Sequence, residues 1–177
     1  MVAQAELLDV VDASDRVVGR ADRQEVHRLG LTHRAVHVFL VDKRNRIYLQ
    51  RRSWSKDQYP GTWDSSASGH VDSGESYPQA AVRELQEELG LDLALEPLLQ
   101  LPASDETGRE HSLLFLARAR DGGPQPRPNP EEIIEGDFFA PEEIEARLLR
   151  APQEFSPCFR LLFRSYRGSG GCLRAGR

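Results

Sequence analysis

Cysteine is nearly absent. Cys158 and Cys172 are the only two in 177 residues, too few for a disulfide framework and without the spacing of a metal-binding pair. Both read as incidental thiols. No stretch approaches the roughly 20 consecutive apolar residues of a membrane-spanning helix, so no membrane association is expected. The N-terminal MVAQAELLDVVDASD lacks the basic region and apolar segment of a secretory leader, which points to a cytoplasmic protein. Nor is there an excess of positive charge. Twenty-three Lys and Arg face 28 Asp and Glu, a net charge of −5 that argues against a stable nucleic-acid complex held by phosphate contacts. A nucleotide substrate stays compatible, because a local group of arginines and a metal can neutralise phosphates in an acidic protein.

What is present describes an ordinary globular chain, 39% hydrophobic and 29% charged. Its length suits one domain with a full core, taken as residues 1–166, followed by a Gly-rich basic tail at 167–177 that is expected to be mobile. Residues 6–19 have two short apolar runs around a polar turn, the pattern of a hairpin. Residues 21–29 read as a short helix stopped by Gly30. Residues 33–42 form a buried strand, and 47–52 its hairpin partner, with Ile47 and Leu49 on one face and Tyr48 and Gln50 on the other. The run 53–63 carries the Pro60-Gly61 turn and the aromatics Trp54, Tyr59 and Trp63, candidates for stacking on a base or covering an apolar chain. Residues 64–70, DSSASGH, are a small-residue segment that lets the backbone approach a ligand closely. Two short strands are expected within 91–101, stronger ones at 111–118 and 131–139, and helices at 141–149 and 154–166.

The most informative stretch is Gly69 to Leu91, GHVDSGESYPQAAVRELQEELGL. Ser76 and Gln79 form a capping box, Pro78 sits in the first turn, and Gly90 is the stop of a helix. Glu84, Glu87 and Glu88 stand at i, i+3 and i+4, three carboxylates within one turn. Such crowding is unfavourable unless a cation sits among them, and Mg²⁺ or Mn²⁺ with oxygen ligands would remove the penalty. With Glu84 at zero and about 100° per residue, Ala81, Val82, Leu85 and Leu89 fall between about 60° and 160°, and Glu87 and Glu88 at about −60° and +40°. The apolar and carboxylate stripes are thus expected to be adjacent, one packing on a sheet and the other facing a cleft. Arg51, Arg52 and Lys56, shortly before this stretch, are candidates to grip phosphates.

Gly69, Glu75, Arg83-Glu84, Glu87-Glu88 and Gly90, at these spacings, resemble the signature of the Nudix hydrolases at each of its defining positions. The resemblance extends over roughly residues 6–150. It implies an α/β (α+β) fold, an α/β/α sandwich with a mixed central sheet and a loop-helix-loop metal site. It also implies metal-dependent hydrolysis of a diphosphate linkage in a nucleoside diphosphate derivative or related small molecule. On that reading Glu84, Glu87, Glu88 and the Gly69 carbonyl hold the metal, while Glu84, Glu87 and Arg83 form the catalytic set. Arg83 pairs with Glu75 or a neighbouring acid to position the glutamates. Glu84 is the first candidate for general base, with Glu110, Glu131, Glu132 and Glu135 as alternatives. The expected partner is a small-molecule diphosphate, and a homodimer is left open.

Residues 33–76 are similar, more narrowly, to the branch that includes isopentenyl-diphosphate isomerase. That resemblance implies a second metal at His33 and His70, with His27 near a third ligand position and Glu110 near an acid. The isomerase's catalytic cysteine falls at Ser68, and isomerases carry a damaged glutamate signature, whereas this one is intact. Hydrolysis is therefore the main expectation, with isomerisation as its rival and a non-catalytic diphosphate sensor as a third reading.

Overall fold

The computed structural model describes residues 6–120 and 122–169. A two-stranded antiparallel hairpin, β1 (Leu7–Val11) and β2 (Val17–Asp22), leads into helix α1 (Arg23–Leu29). Asp22 caps that helix by accepting from the Glu25 amide, and Gly30 ends it in the left-handed conformation. The helix begins two residues later than expected, because Ala21 and Asp22 complete the pairing of β2 with β1.

The main sheet contains β3 (His33–Val41), β4 (Ile47–Arg52), β5 (Trp63–Asp64), β6 (Ala67–His70), β7 (Leu95–Leu101), β8 (Glu110–Arg118) and β9 (Ile133–Phe139). The main order is β5-β4-β3-β8-β7, with β6 added to β3 and β9 to β4. Among the described strands the β3–β8 pair is parallel and the others antiparallel, so the sheet is mixed. Alternation along the strands feeds two cores. Val36, Val38, Leu40, Tyr48, Phe115 and Ala117 face helix α2 (Tyr77–Leu89). Phe39, Val41, Ile47, Leu49, Leu114 and Leu116 face helices α3 (Pro141–Arg150) and α4 (Pro157–Gly168). The result is the expected α/β/α sandwich. Ile47 and Leu49 do lie opposite Tyr48, but both faces are buried, as in a sheet covered by helices on each side.

Several local expectations need correction. The small-residue segment 64–70, given no secondary structure by its sequence, contains a strand, β6, held antiparallel to β3 with Val36 opposite Gly69 and His37 opposite Ser68. Small residues are weak strand formers, and here the long strand beside them imposes the conformation. Residues 91–101 give one strand, β7, with an irregular register between Pro97 and Leu99, because Pro97 has no amide to donate. Helix α4 continues through Gly168, so only residues 170–177 of the expected tail, Cys172 among them, lie outside the described residues.

The largest correction concerns the face of α2. Val82 is 46% exposed, whereas Ala80, Ala81, Leu85, Glu88 and Leu89 are buried. The buried arc therefore runs from about −40° to about 140° on the helical wheel, with Glu84 and Glu88 inside it. The carboxylates share the packed face because β6 passes beneath them, and Gly69 removes the side chain that would otherwise fill that space.

Leu85→Ala should destabilise the protein by about 2–5 kcal/mol, since Leu85 is 1% exposed and its removal leaves a cavity. Val82→Ala should change stability by only about 0.5 kcal/mol. Urea unfolding of the two variants checks the assigned face.

Candidate active site

A cleft of about 560 Å³ opens where α2, β6, the start of β8 and the 52–64 segment meet. Glu84, Glu87 and Glu88 line it, together with Ser68, Gly69 and His70. Glu88 is almost fully buried and accepts from Gln50 Nε2 at 2.7 Å and the Ser68 amide at 3.0 Å. Glu84 lies against Gly69 so closely that a Cβ there would overlap its carboxylate. Glu87 stands at the rim, its side chain 57% exposed. Arg83 ties the set together. It donates from Nε and Nη2 to the two oxygens of Glu75 at 3.0 and 2.9 Å, from Nη2 to the His70 carbonyl, and from Nη1 to Glu84 and Glu87.

Burial and the neighbouring Glu88 charge push the Glu84 carboxyl up from 4.5 to about 8. Burial likewise raises Glu88 to about 7, against the opposing pull of Lys56, the Ser68 amide and Gln50. Two buried carboxyls that resist ionisation beside a side-chain-free backbone form a donor set suited to a hard divalent cation.

Across the cleft stand cations. Arg52 and Lys56 line it, as does Arg23 from α1. Arg52 donates to the Gln58 carbonyl at 3.2 Å and pairs with Asp64 at 3.4 Å. Lys56 pairs with Glu132, and burial lowers its pKa. Arg51 is placed elsewhere. It donates to the Gly61 carbonyl at 3.0 Å, pairs with Glu135 and lies over the Trp54 ring, outside the cleft lining. The physical reason is strand alternation, which sends Arg51 and Arg52 to opposite faces of β4. Among the three aromatics, Tyr59 lines the cleft, Trp54 is exposed against Gly61, and Trp63 is core beneath Arg147. Of the candidate bases, Glu110 and Glu132 line the cleft, whereas Glu131 and Glu135 are exposed outside it.

The histidines also converge. His27, His33 and His70 each present a donor atom within 4.8 Å of the others. Each Nδ1 has an outer partner: Gln58 at 3.3 Å for His27, the Leu31 carbonyl at 2.9 Å for His33, and Glu6 at 2.8 Å for His70. The buried Nε2 atoms of His27 and His33 have no hydrogen bond, and those of His33 and His70 both stand 3.5 Å from Glu110 Oε1. The parallel register that sets His33 beside Glu110 brings this acid in. Burial disfavours charge on His70, but Glu110 and Glu6 outweigh it and raise it to about 9. Burial alone would raise Glu110, yet His33 and His70 hold it well below the usual carboxylate range. His33 and His70, oriented through Nδ1 and sharing Glu110 through Nε2, form with His27 the kind of nitrogen and oxygen donor set that a transition-metal ion takes.

Sequence reading missed Arg23, Glu6, Asp64, His37 and Cys158, all in the cleft lining. Gln50 and His37, polar residues within apolar strands, were the available signals. Arg23 and Glu6 carried none, because only the docking of α1 and the hairpin brings them in.

The fold and the glutamate helix define a class. The NUDIX domain matches residues 31–161, and the chain belongs to the Nudix family, as a hydrolase acting on diphosphate bonds. Enzymes of this family use a divalent metal ion. The chain is 36% identical over 177 residues to an uncharacterized Nudix hydrolase of Streptomyces coelicolor, covering 97% of this chain and 95% of that protein. It is also 36% identical over 158 residues to an isopentenyl-diphosphate Delta-isomerase of Streptomyces griseus, covering 85% and 79%. The crystal structure of a Deinococcus radiodurans protein matches with a TM-score of 0.80 at 30% identity, covering 90% of this chain and 98% of that one.

Because Glu84 and Glu88 are raised in the folded state, the stabilisation from their protonated forms is complete below 4.5 and is lost as pH rises through about 7 and 8. A bound divalent ion selects the ionised forms. The rise in melting temperature caused by Mg²⁺ should therefore be larger at about pH 8.5 than at about pH 6, as read by thermal denaturation. Gly69→Ala should displace the Glu84 carboxylate and abolish most of that Mg²⁺-dependent rise, with little effect on the metal-free melting temperature.

Proposed function

We propose that this protein uses Mg²⁺ or Mn²⁺ to hydrolyse a diphosphate linkage in a nucleoside diphosphate derivative or a related small molecule. The observation that carries the reading is the opposition, within one cleft, of Glu84, Glu87 and Glu88 to Arg23, Arg52 and Lys56. The glutamates and the Gly69 carbonyl would hold the ion. When bound, it supplies charge neutralisation at the diphosphate oxygens and acidifies a water ligand.

The protein's own residues do the rest. Arg83, clamped on Glu75, fixes the position of Glu84. Gln50 and the Ser68 amide do the same for Glu88. Arg52, Lys56 and Arg23 take phosphate oxygens and orient the diphosphate against the glutamates. Glu84 accepts the proton of the attacking water as the new bond to phosphorus forms and the bond to the bridging oxygen breaks. Tyr59, at the cleft wall, offers a ring face to the group attached to the diphosphate.

One observation favours a second reading. His27, His33, His70 and Glu110 form the kind of set expected for an isomerase metal, and this set adjoins the same cleft. Against it, Ser68 stands where the isomerase resemblance requires cysteine, and a serine hydroxyl is a far poorer acid at neutral pH than a thiol.

The purified protein should be incubated with Mg²⁺ and a panel of nucleoside diphosphates, nucleotide sugars, dinucleotides and isopentenyl diphosphate. Metal-dependent release of phosphate or monophosphate is expected. Glu84→Gln or Glu88→Gln should lower turnover by about 100-fold or more with the fold retained, Glu87→Gln should also reduce it, and Arg51→Ala should leave it nearly unchanged. Dimethylallyl diphosphate without phosphate release would replace the hydrolase reading with isomerisation, and binding without either product would replace it with a sensor. Full activity in both Glu84→Gln and Glu88→Gln would overturn the metal assignment.

A further inference from the structure

At the floor of the cleft lies a second group of donors that the diphosphate chemistry above does not use. His37, Glu110 and Cys158 each present a ligand atom within 4.8 Å of the others. They come from three elements: β3, the start of β8 and the first turn of α4. His37 is 4% exposed and Cys158 8% exposed, yet both line the cleft. Cys158 Sγ stands 3.4 Å from His37 Nε2. A tetrahedral zinc ion with ordinary Zn–S and Zn–N lengths needs that pair about 3.6 Å apart, so little movement separates the present contact from shared coordination.

The surroundings orient these donors. His37 Nδ1 is paired with Ser65 Oγ at 2.9 Å, and Asp64 Oδ1 stands 3.9 Å from it while accepting from the Ser65 amide. With a hydrogen on Nδ1 donated outward, Nε2 keeps a lone pair directed at the thiol. Cys158 Sγ also lies 3.5 Å from Ser112 Oγ, to which it can donate. Glu110 already touches His33 and His70 through Oε1, at 3.5 Å from each Nε2.

We propose that His37 Nε2, Cys158 Sγ and the Glu110 carboxylate form a binding site for a borderline-soft divalent cation of the zinc class. The nitrogen, sulfur and oxygen set disfavours Mg²⁺, which takes oxygen ligands, and distinguishes this site from the all-oxygen set on α2. Three protein ligands beside an open cleft leave the fourth position for water or a substrate oxygen, the arrangement of catalytic rather than structural zinc. Binding replaces the thiol proton with the metal–sulfur bond and releases that proton to solvent. Because binding releases a proton, it should weaken as pH falls.

The test is titration of the full-length, chelator-treated protein with Co²⁺, read by absorption. Coordination by Cys158 predicts a thiolate-to-cobalt charge-transfer band in the near-ultraviolet that Zn²⁺ bleaches. The band should survive in Cys172→Ser and disappear in Cys158→Ser and in His37→Gln, with circular dichroism confirming that each variant is folded. Cobalt bound without a charge-transfer band would place the ion on the histidine or glutamate donors instead and overturn the proposal. A band that disappears only in Cys172→Ser would overturn it equally. None of these outcomes depends on turnover, so the hydrolase reading stands or falls separately.

Discussion

Everything in this molecule's cleft depends on the burial of two carboxylates, Glu84 and Glu88, beneath a helix and against a bare stretch of backbone. Burial raises both, so the folded protein carries an electrostatic cost that only protons or a cation can relieve. The neighbouring parts are arranged around that cost. Gly69 lets β6 pass under Glu84 without a side chain in between. Arg83 and Glu75 lock into a bidentate pair that holds Glu84, while Gln50 and the Ser68 amide hold Glu88. The capping box at Ser76 and the left-handed Gly90 set where the helix begins and ends. The packing of Leu85 and Leu89 then fixes how far it is rotated.

The sheet explains how one cleft comes to hold several kinds of donor. β3 contributes His33 and His37 to different neighbours, pairing with β8 along one edge and β6 along the other. The parallel pairing brings Glu110 beside His33, and the antiparallel one brings Ser68 beside His37. Glu110 therefore touches two of the three histidines and lies within reach of His37 and Cys158. The carboxylates of α2 share the cleft with nitrogen donors from β3 and β6, the Glu110 carboxylate of β8 and the sulfur of α4, and His27 of α1 adjoins them. The cations from α1, β4 and the following loop line it as well. Such a mixture allows a phosphate-bearing substrate to be held by some groups while others arrange different chemistry.

Helix α2, its caps and its three glutamates were legible in the sequence, because capping residues and i, i+3, i+4 spacing are local properties of one short segment. So were β3, from its apolar β-branched run, and β4, whose alternation shows which residues lie opposite, and the Nudix resemblance followed from the compact motif around α2. That resemblance also implied the pairing of Arg83 with Glu75 or a neighbouring acid, and the structure has Arg83 on Glu75. The rest was decided by tertiary structure. Ala67–His70 became a strand only because β3 lies beside it, and Val82 was left exposed because the packed arc is set by β6 rather than by apolar residues alone. Arg52 rather than Arg51 reached the cleft through the orientation of β4. Cys158, an incidental thiol when read along the chain, meets His37 across 121 positions of sequence. Local periodicity specifies which groups share a face, but contact between distant segments is set by strand pairing and helix docking, and the donor sets of this cleft are products of that packing.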